Sequence, residues 1–138
     1  MQIGNHHHNY AWTEKWGSIP DTQSSREGWA HHGIVVSKTG EVFSFHQGDN
    51  TLITFDQNGT LIDSAETTVE NAHGMTLVEE NGEEFIWLAD NLSGQVVKVD
   101  LSGKLVSSIS MPDIEVYADG GKYSPTDVAV NEERNGGN

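Results

Sequence analysis

The sequence predicts an all-β fold built from repeated four-stranded antiparallel sheets, and three observations support that prediction. The pair His32-Gly33 returns as His73-Gly74 after 41 positions, and the run 52–62 returns as 96–106 after 44 positions. Each copy contains four short β-rich runs separated by turn residues, and no run shows a sustained helical period. Tandem units of four strands and about 40 to 45 residues are the blades of a β-propeller. We therefore expect a β-propeller fragment with an N-terminal strand, two four-stranded blades and the start of a third.

The N-terminal part precedes the first blade. Residues 1–9 are polar, include the triplet at 6–8 of three histidines, and predict a disordered tail. Residues 10–16 alternate large and polar side chains as a strand does. A strand from one terminus often completes the blade formed by the other, so this run is a candidate outer strand. Residues 18–29 predict a loop.

The two blades are expected over about 30–68 and 71–111, within a partial propeller that spans 10–138. The predicted strands are 33–37, 41–46, 51–56 and 61–65 in the first blade, and 74–79, 84–89, 95–100 and 105–110 in the second. Asn58-Gly59 and Ser102-Gly103 supply the positive φ that tight hairpins require. A small eight-stranded sandwich is the alternative, but a sandwich has no reason to repeat its loops.

The start of a third blade is expected over about 123–138. Residues 125–130 repeat the opening run of the other two blades, and the sequence ends inside this repeat. The acidic segment 113–121 predicts a surface connection that leads into it.

Charge and composition narrow the function classes. The 138 residues suit one domain, and 7 basic against 21 acidic residues give a net charge of −14. Such a field repels phosphate backbones and anionic lipid, so we expect no nucleic-acid partner and no membrane partner. We expect a soluble chain without a signal peptide. Its compartment stays open, and a secreted or periplasmic full-length parent is one alternative. Because there is no cysteine, a metal ion would need His, Asp, Glu or backbone oxygen ligands.

The repeat pattern resembles a known group. A His-Gly pair, a hydrophobic strand, a turn glycine, an aromatic strand, an Asp-Asn pair and a strand ending in aspartate are similar to NHL-repeat six-bladed β-propellers. Within that group, the histidines before the first strands resemble the peptidyl-α-hydroxyglycine α-amidating lyase family. That resemblance implies a zinc ion held by histidines from different blades on the central axis, with calcium nearby. It makes His32 and His73 zinc ligands, places Thr126 where a third histidine would stand, and leaves Asp127 for calcium.

The candidate site residues each have a structural alternative. His32 and His73 precede the strands nearest the propeller axis, so they could share one metal ion. They could instead donate to a backbone carbonyl of the next blade, with Gly33 and Gly74 permitting the close turn. Asp127 could coordinate calcium or cap a loop amide. The repeated Asp-Asn pairs at 49–50 and 90–91 favour turn closure over cation binding.

Two functions follow from these observations. The first is an NHL-type binding or scaffold module that holds a protein, a peptide or a small molecule and is inactive as an isolated fragment. The alternative is a zinc-dependent lyase resembling peptidylamidoglycolate lyase in the full-length parent, so enzyme activity stays open. We also expect self-association through unpaired blade edges.

Overall fold

The chain is described by a computed structural model over residues 1–5, 7–27, 32–118 and 120–131. Its strands are β1 Gln2–Gly4, β2 Asn9–Ala11, β3 Ile34–Val36, β4 Val42–His46, β5 Thr51–Phe55, β6 Leu61–Glu66, β7 Ala72–Glu80, β8 Glu83–Asp90, β9 Gln95–Asp100 and β10 Leu105–Ser110. Its helices are α1 Gln23–Glu27, a 3-10 turn Gln47–Asp49 and α2 Glu115–Ala118.

Two four-stranded antiparallel sheets form the body of the fold. The first has the order β3-β4-β5-β6 and the second has the order β7-β8-β9-β10. Every strand therefore pairs only with the strand before or after it in the sequence, which is the meander of a propeller blade. The all-β prediction of two blades is confirmed, and the strand bounds agree with those predicted to within two residues.

The hydrophobic core lies between the two blades. Alternating side chains of a strand point to opposite faces, so each blade turns one apolar face toward the other. The residues of this interface are Val35, Phe43, Phe45 and Leu52 from blade 1, and Met75, Ile86, Leu88, Val97 and Val99 from blade 2. All nine side chains are buried, so the two blades form one packed unit.

The third and fourth strands of each blade are joined by the same turn. In blade 1, Asp56 accepts hydrogen bonds from the backbone N–H groups of Asn58 and Thr60, both at 2.8 Å. In blade 2, Asp100 accepts them from Ser102 and Lys104, at 2.9 and 3.1 Å. Hydrogen bonds to a carboxylate favour its charged form, and the bond from Thr60 holds the pKa of Asp56 below its usual range.

The N-terminal part differs from the sequence prediction. Residues 1–9 were expected to be a disordered tail, but β1 pairs with β2 in an exposed antiparallel hairpin, with Ile3 opposite Tyr10. The strand expected over 10–16 is correspondingly cut to β2 and does not join a blade. The backbone supplies the pairing here, since no side chain of either strand is buried.

The two connecting loops each contain a short helix. α1 lies in the predicted loop 18–29, and its first turn is capped because the Thr22 hydroxyl accepts the Ser25 N–H at 3.2 Å. α2 lies in the acidic connection 113–121. Helices of five and four residues are too short to leave a period in the sequence.

The predicted start of blade 3 runs beside blade 2 without forming a strand. The Thr76 hydroxyl of β7 donates to the carbonyl of Val128 at 2.5 Å. Residues 132–138 of the predicted third blade lie outside the described residues, as do His6, Trp29 and His31.

Candidate functional site

The residues that open the first strand of each repeat meet at one place. The Gly33 N–H donates to the carbonyl of His73 at 3.1 Å, which ties blade 1 to blade 2. The His73 Nδ1 lies 2.9 Å from the carbonyl oxygen of Thr126, which ties blade 2 to the third repeat. Each repeat therefore contacts the next one through its opening residues.

Glycine permits this close approach. A Cβ on Gly33 would lie 2.8 Å from the backbone nitrogen of Met75, and a Cβ on Gly74 would lie 2.3 Å from Asp127 Oδ1. Neither distance occurs between real atoms of this kind, so any other residue would separate the repeats. The His-Gly recurrence seen in the sequence is thus a packing requirement of adjacent blades.

An open cavity of about 510 Å³ lies at this meeting point. It is lined by His32, Gly33, Ile34, His73, Gly74, Met75, Thr126 and Asp127. The three residues that the sequence singled out, His32, His73 and Asp127, thus come from three successive repeats to line one cavity, with both ring nitrogens of His32 buried. We call it the axial cavity.

The contacts of these three side chains differ. The His32 ring meets Phe45 edge-on, with centroids 5.8 Å apart and an interplanar angle of 87°. His73 makes the contact to a carbonyl of the next repeat that was the structural alternative in the sequence. When Nδ1 of a neutral imidazole donates to such a carbonyl, Nε2 is the acceptor nitrogen. Asp127 Oδ1 accepts the N–H of Val128 at 2.9 Å, as a capping aspartate does.

The donor atoms in the axial cavity are of the kinds that zinc and calcium take. Within the ranges that the structure describes, however, no group of three or more His, Cys, Asp or Glu side chains is arranged to hold a metal ion. A zinc site with three protein ligands would need a further donor beside His32 and His73.

A second polar centre sits where blade 2 meets its preceding loop. Asp90 is only 1% exposed. Its carboxylate accepts the backbone N–H groups of Glu70 at 2.9 Å, Asn71 at 3.1 Å, and Leu92 and Ser93 at 3.2 Å each. Burial by itself raises the pKa of the Asp90 carboxyl, but these hydrogen bonds outweigh burial and hold the pKa below its usual range. The Asp-Asn pair at 90–91 therefore closes a loop.

Sequence reasoning missed a buried lysine in blade 2. Lys98 is 8% exposed, and its ammonium group pairs with Glu80. The same group lies 4.3 Å from the centroid of the Phe85 ring and 5.7 Å from that of Trp87. Lys98 occupies an ordinary alternating position in β9, so only the assembled sheet reveals its aromatic neighbours.

Comparison with known proteins adds little to this geometry. No protein-family model matches the chain, and no curated protein matches it. Among solved structures, it is similar to a catalytically inactive variant of virginiamycin B lyase from Staphylococcus aureus with quinupristin. The identity is 20%, the TM-score is 0.45, and the match covers 59% of this chain and 27% of that chain. No helix among the described residues is both long and apolar enough to cross a membrane.

Proposed function

We propose that the chain belongs to an NHL-type binding propeller and that the axial cavity is its ligand site. The observation that carries this proposal is that His32, His73 and Asp127, from three successive repeats, line the same cavity. Propellers bind ligands where loops of several blades converge, because each blade supplies one side chain to a shared opening.

The chemistry of the cavity favours a peptide or small molecule with hydrogen-bond donors or positive charge. Nε2 of a neutral His73 and the Asp127 carboxylate can accept hydrogen bonds, and the net charge of −14 attracts cations from solution. Ile34 and Met75 add an apolar wall for the rest of such a ligand.

A thermal-shift screen of short cationic, neutral and acidic peptides tests this proposal. The screen compares the wild-type chain with His32→Ala/His73→Ala. A ligand that binds only the folded state raises its melting temperature. We expect cationic or neutral peptides to stabilise the wild type and not the double variant. Peptides that stabilise both proteins equally would place the ligand site elsewhere.

A second candidate is a zinc-dependent lyase resembling the amidating family. The His-Gly recurrence supports it, because it brings two histidine residues to one cavity. His32 and His73 would hold zinc and Asp127 would hold calcium, and zinc would supply a Lewis acid or an activated water. This chain's own residues would then hold and orient the substrate, and we expect no turnover from them alone.

Zinc titration calorimetry separates the two candidates. The background replaces His6, His7 and His8 with glutamine, so the triplet cannot contribute. We expect weak zinc binding that His32→Ala/His73→Ala abolishes, since each histidine supplies one ligand atom. Equal affinities in the two proteins would remove the axial zinc site and leave the binding proposal standing.

A further inference from the structure

The tip of the β7–β8 hairpin carries an Asn-Gly pair in a strained turn. Asn81 and Gly82 form a two-residue connection between the paired residues Glu80 and Glu83. Their φ angles are 53° and 87°, which is the double positive φ of a type I′ turn. Both residues are exposed, and a Cβ placed on Gly82 would meet nothing within 4 Å.

An Asn-Gly pair can modify itself. The backbone nitrogen of the glycine attacks Cγ of the asparagine side chain, and a C–N bond forms while the side-chain amide leaves as ammonia with the proton from the glycine nitrogen. Water then opens the resulting succinimide at either carbonyl and gives aspartate or isoaspartate. Glycine favours the attack because it has no side chain to obstruct the approach. The closed turn must open locally first, and exposed hairpin tips open at low cost.

The second Asn-Gly pair of the described chain is held differently. The Gly59 N–H donates to the carbonyl of Asp56 at 3.0 Å, and the Gly59 carbonyl accepts the Ser18 N–H at 2.8 Å. The Asn58 N–H is bound by the Asp56 carboxylate at 2.8 Å. Gly59 is buried beneath Trp16, whose carbonyl oxygen would lie 1.8 Å from a Cβ at that position.

Opening the two turns therefore has unequal consequences. Opening at Gly59 breaks three hydrogen bonds and displaces the N-terminal segment, whereas in the described part of the chain no hydrogen bond fixes the Asn81 side chain or the Gly82 N–H. We infer that Asn81 is a site of spontaneous deamidation and isoaspartate formation, and that the fold protects Asn58.

The modification changes the hairpin in two ways. Isoaspartate inserts an extra carbon into the backbone of a two-residue turn, and the register of a hairpin depends on the length of its turn. A new carboxylate also joins Glu79, Glu80, Glu83 and Glu84 at the same tip. Both effects act on β7, whose other end carries His73 of the axial cavity.

Peptide mass spectrometry tests the inference on the full chain. The folded protein is incubated at mildly alkaline pH, digested with trypsin at mildly acidic pH, and fragmented by electron transfer. Tryptic peptide 39–98 contains Asn58 and Asn81 together, so their conversion is compared within one molecule. We expect conversion at Asn81 to exceed conversion at Asn58 by at least about tenfold, equivalent to about 1.4 kcal/mol of extra protection. Asn135-Gly136 falls in a separate peptide after Arg134.

Two controls make the result decisive. In urea, both asparagines should convert at similar rates, because protection by the fold is gone. In Asn81→Asp, the aspartate still suits the turn, and the mass gain at this position should disappear. Equal conversion of Asn58 and Asn81 in the folded chain, or no conversion of either, would overturn the inference. Protection of Asn58 that persists in urea would show that sequence protects it instead of the fold.

Discussion

A single buried carboxylate organises the loop that joins the two blades. Asp90 receives four backbone N–H groups, two from the segment before blade 2 and two from the turn after β8. The carboxylate that all four N–H groups share is itself buried, with 1% of Asp90 exposed. An acceptor lost from such a site leaves buried donors unsatisfied.

Asp90→Asn should therefore destabilise the fold. The amide has the same size as the carboxylate, but its NH₂ group cannot accept hydrogen bonds. The backbone N–H groups that face it lose their acceptor, which lowers the free energy of unfolding by about 1–3 kcal/mol. Asp113→Asn removes the same charge at an exposed position and should change the free energy of unfolding by less than about 0.5 kcal/mol. Urea denaturation at neutral pH measures both variants. Similar losses of unfolding free energy in Asp90→Asn and Asp113→Asn would mean that net charge, and not the buried hydrogen bonds, causes the destabilisation.

The Asp90 contribution should also depend on pH. Its pKa is lower in the folded chain than the ordinary value of about 3.9, so its stabilisation is present above that value. It is lost as pH falls through the folded pKa, where the carboxyl is protonated in both states. The stability difference between wild type and Asp90→Asn should thus shrink in urea titrations repeated below about pH 4. A constant difference would contradict this linkage.

For single residues, the sequence predicted where each one lies in a strand but not which groups its side chain contacts. Periodicity brought His32, His73 and Asp127 to strand openings, and the structure gathers them at one cavity. It could not show that His73 contacts the Thr126 carbonyl or that Lys98 lies over Phe85. The first contact depends on how neighbouring repeats pack, and the second depends on the register of β8 against β9, so neither leaves a mark on a single run.

At the scale of elements, equivalent turns of the two blades pack against different neighbours. A Cβ on Gly103 of blade 2 would lie 3.1 Å from Cβ of Ala65 in blade 1. The equivalent Gly59 of blade 1 packs under Trp16, whose ring also lies 5.9 Å from that of Phe55. The N-terminal segment thus packs on the turn of blade 1 that contains Gly59, and blade 1 packs on the equivalent turn of blade 2 that contains Gly103. The sequence did not predict that the N-terminal segment packs on blade 1, because this segment lies outside the repeats.

Two glycine variants test that packing. Gly59 and Gly40 have φ angles of 84° and 88°, so alanine carries the same left-handed strain at each, about 1–2 kcal/mol. Only Gly59→Ala also collides with Trp16, because nothing lies within 4 Å at Gly40. In urea denaturation, we expect the free energy of unfolding to fall by at least about 1 kcal/mol more in Gly59→Ala than in Gly40→Ala.

Limited proteolysis supplies an independent measurement for the same pair. Trypsin cleaves after Lys15, next to the residue that Gly59→Ala would displace, and we expect faster cleavage there in this variant alone. Equal stability and equal cleavage in Gly59→Ala and Gly40→Ala would mean that the N-terminal segment does not pack on blade 1.

At the scale of the whole molecule, one blade face is only half covered. Ile34 and Val36 of blade 1 are 66% and 55% exposed. Met75, which stands at the position of Ile34 in blade 2, is 9% exposed because it packs on blade 1. The repeat therefore indicates that the exposed face of blade 1, which carries Ile34 and Val36, has the shape and apolar character to pack against another sheet. The period made this architecture predictable because each blade is a local unit.

We expect the purified chain to self-associate or to be only marginally stable. Exposed apolar faces and unpaired edge strands recruit other strands. Ile34→Lys/Val36→Lys should lower the mass measured by light scattering, while Val116→Lys, at a position 71% exposed outside the blades, should not. A sharp monomer of the wild type that unfolds cooperatively well above about 65 °C would contradict the expectation.

The order of the strands also determines how the chain can assemble. Each strand of a blade pairs with its sequence neighbour, so every hairpin closes a short loop and no strand waits for a distant partner. Chains fold from the amino end as they are synthesised, and repeat units can form one after another. Blade 1 can close before blade 2 is complete and then serve as its template. The axial cavity, which needs residues from three successive repeats, is accordingly the last part of the described structure to form during synthesis.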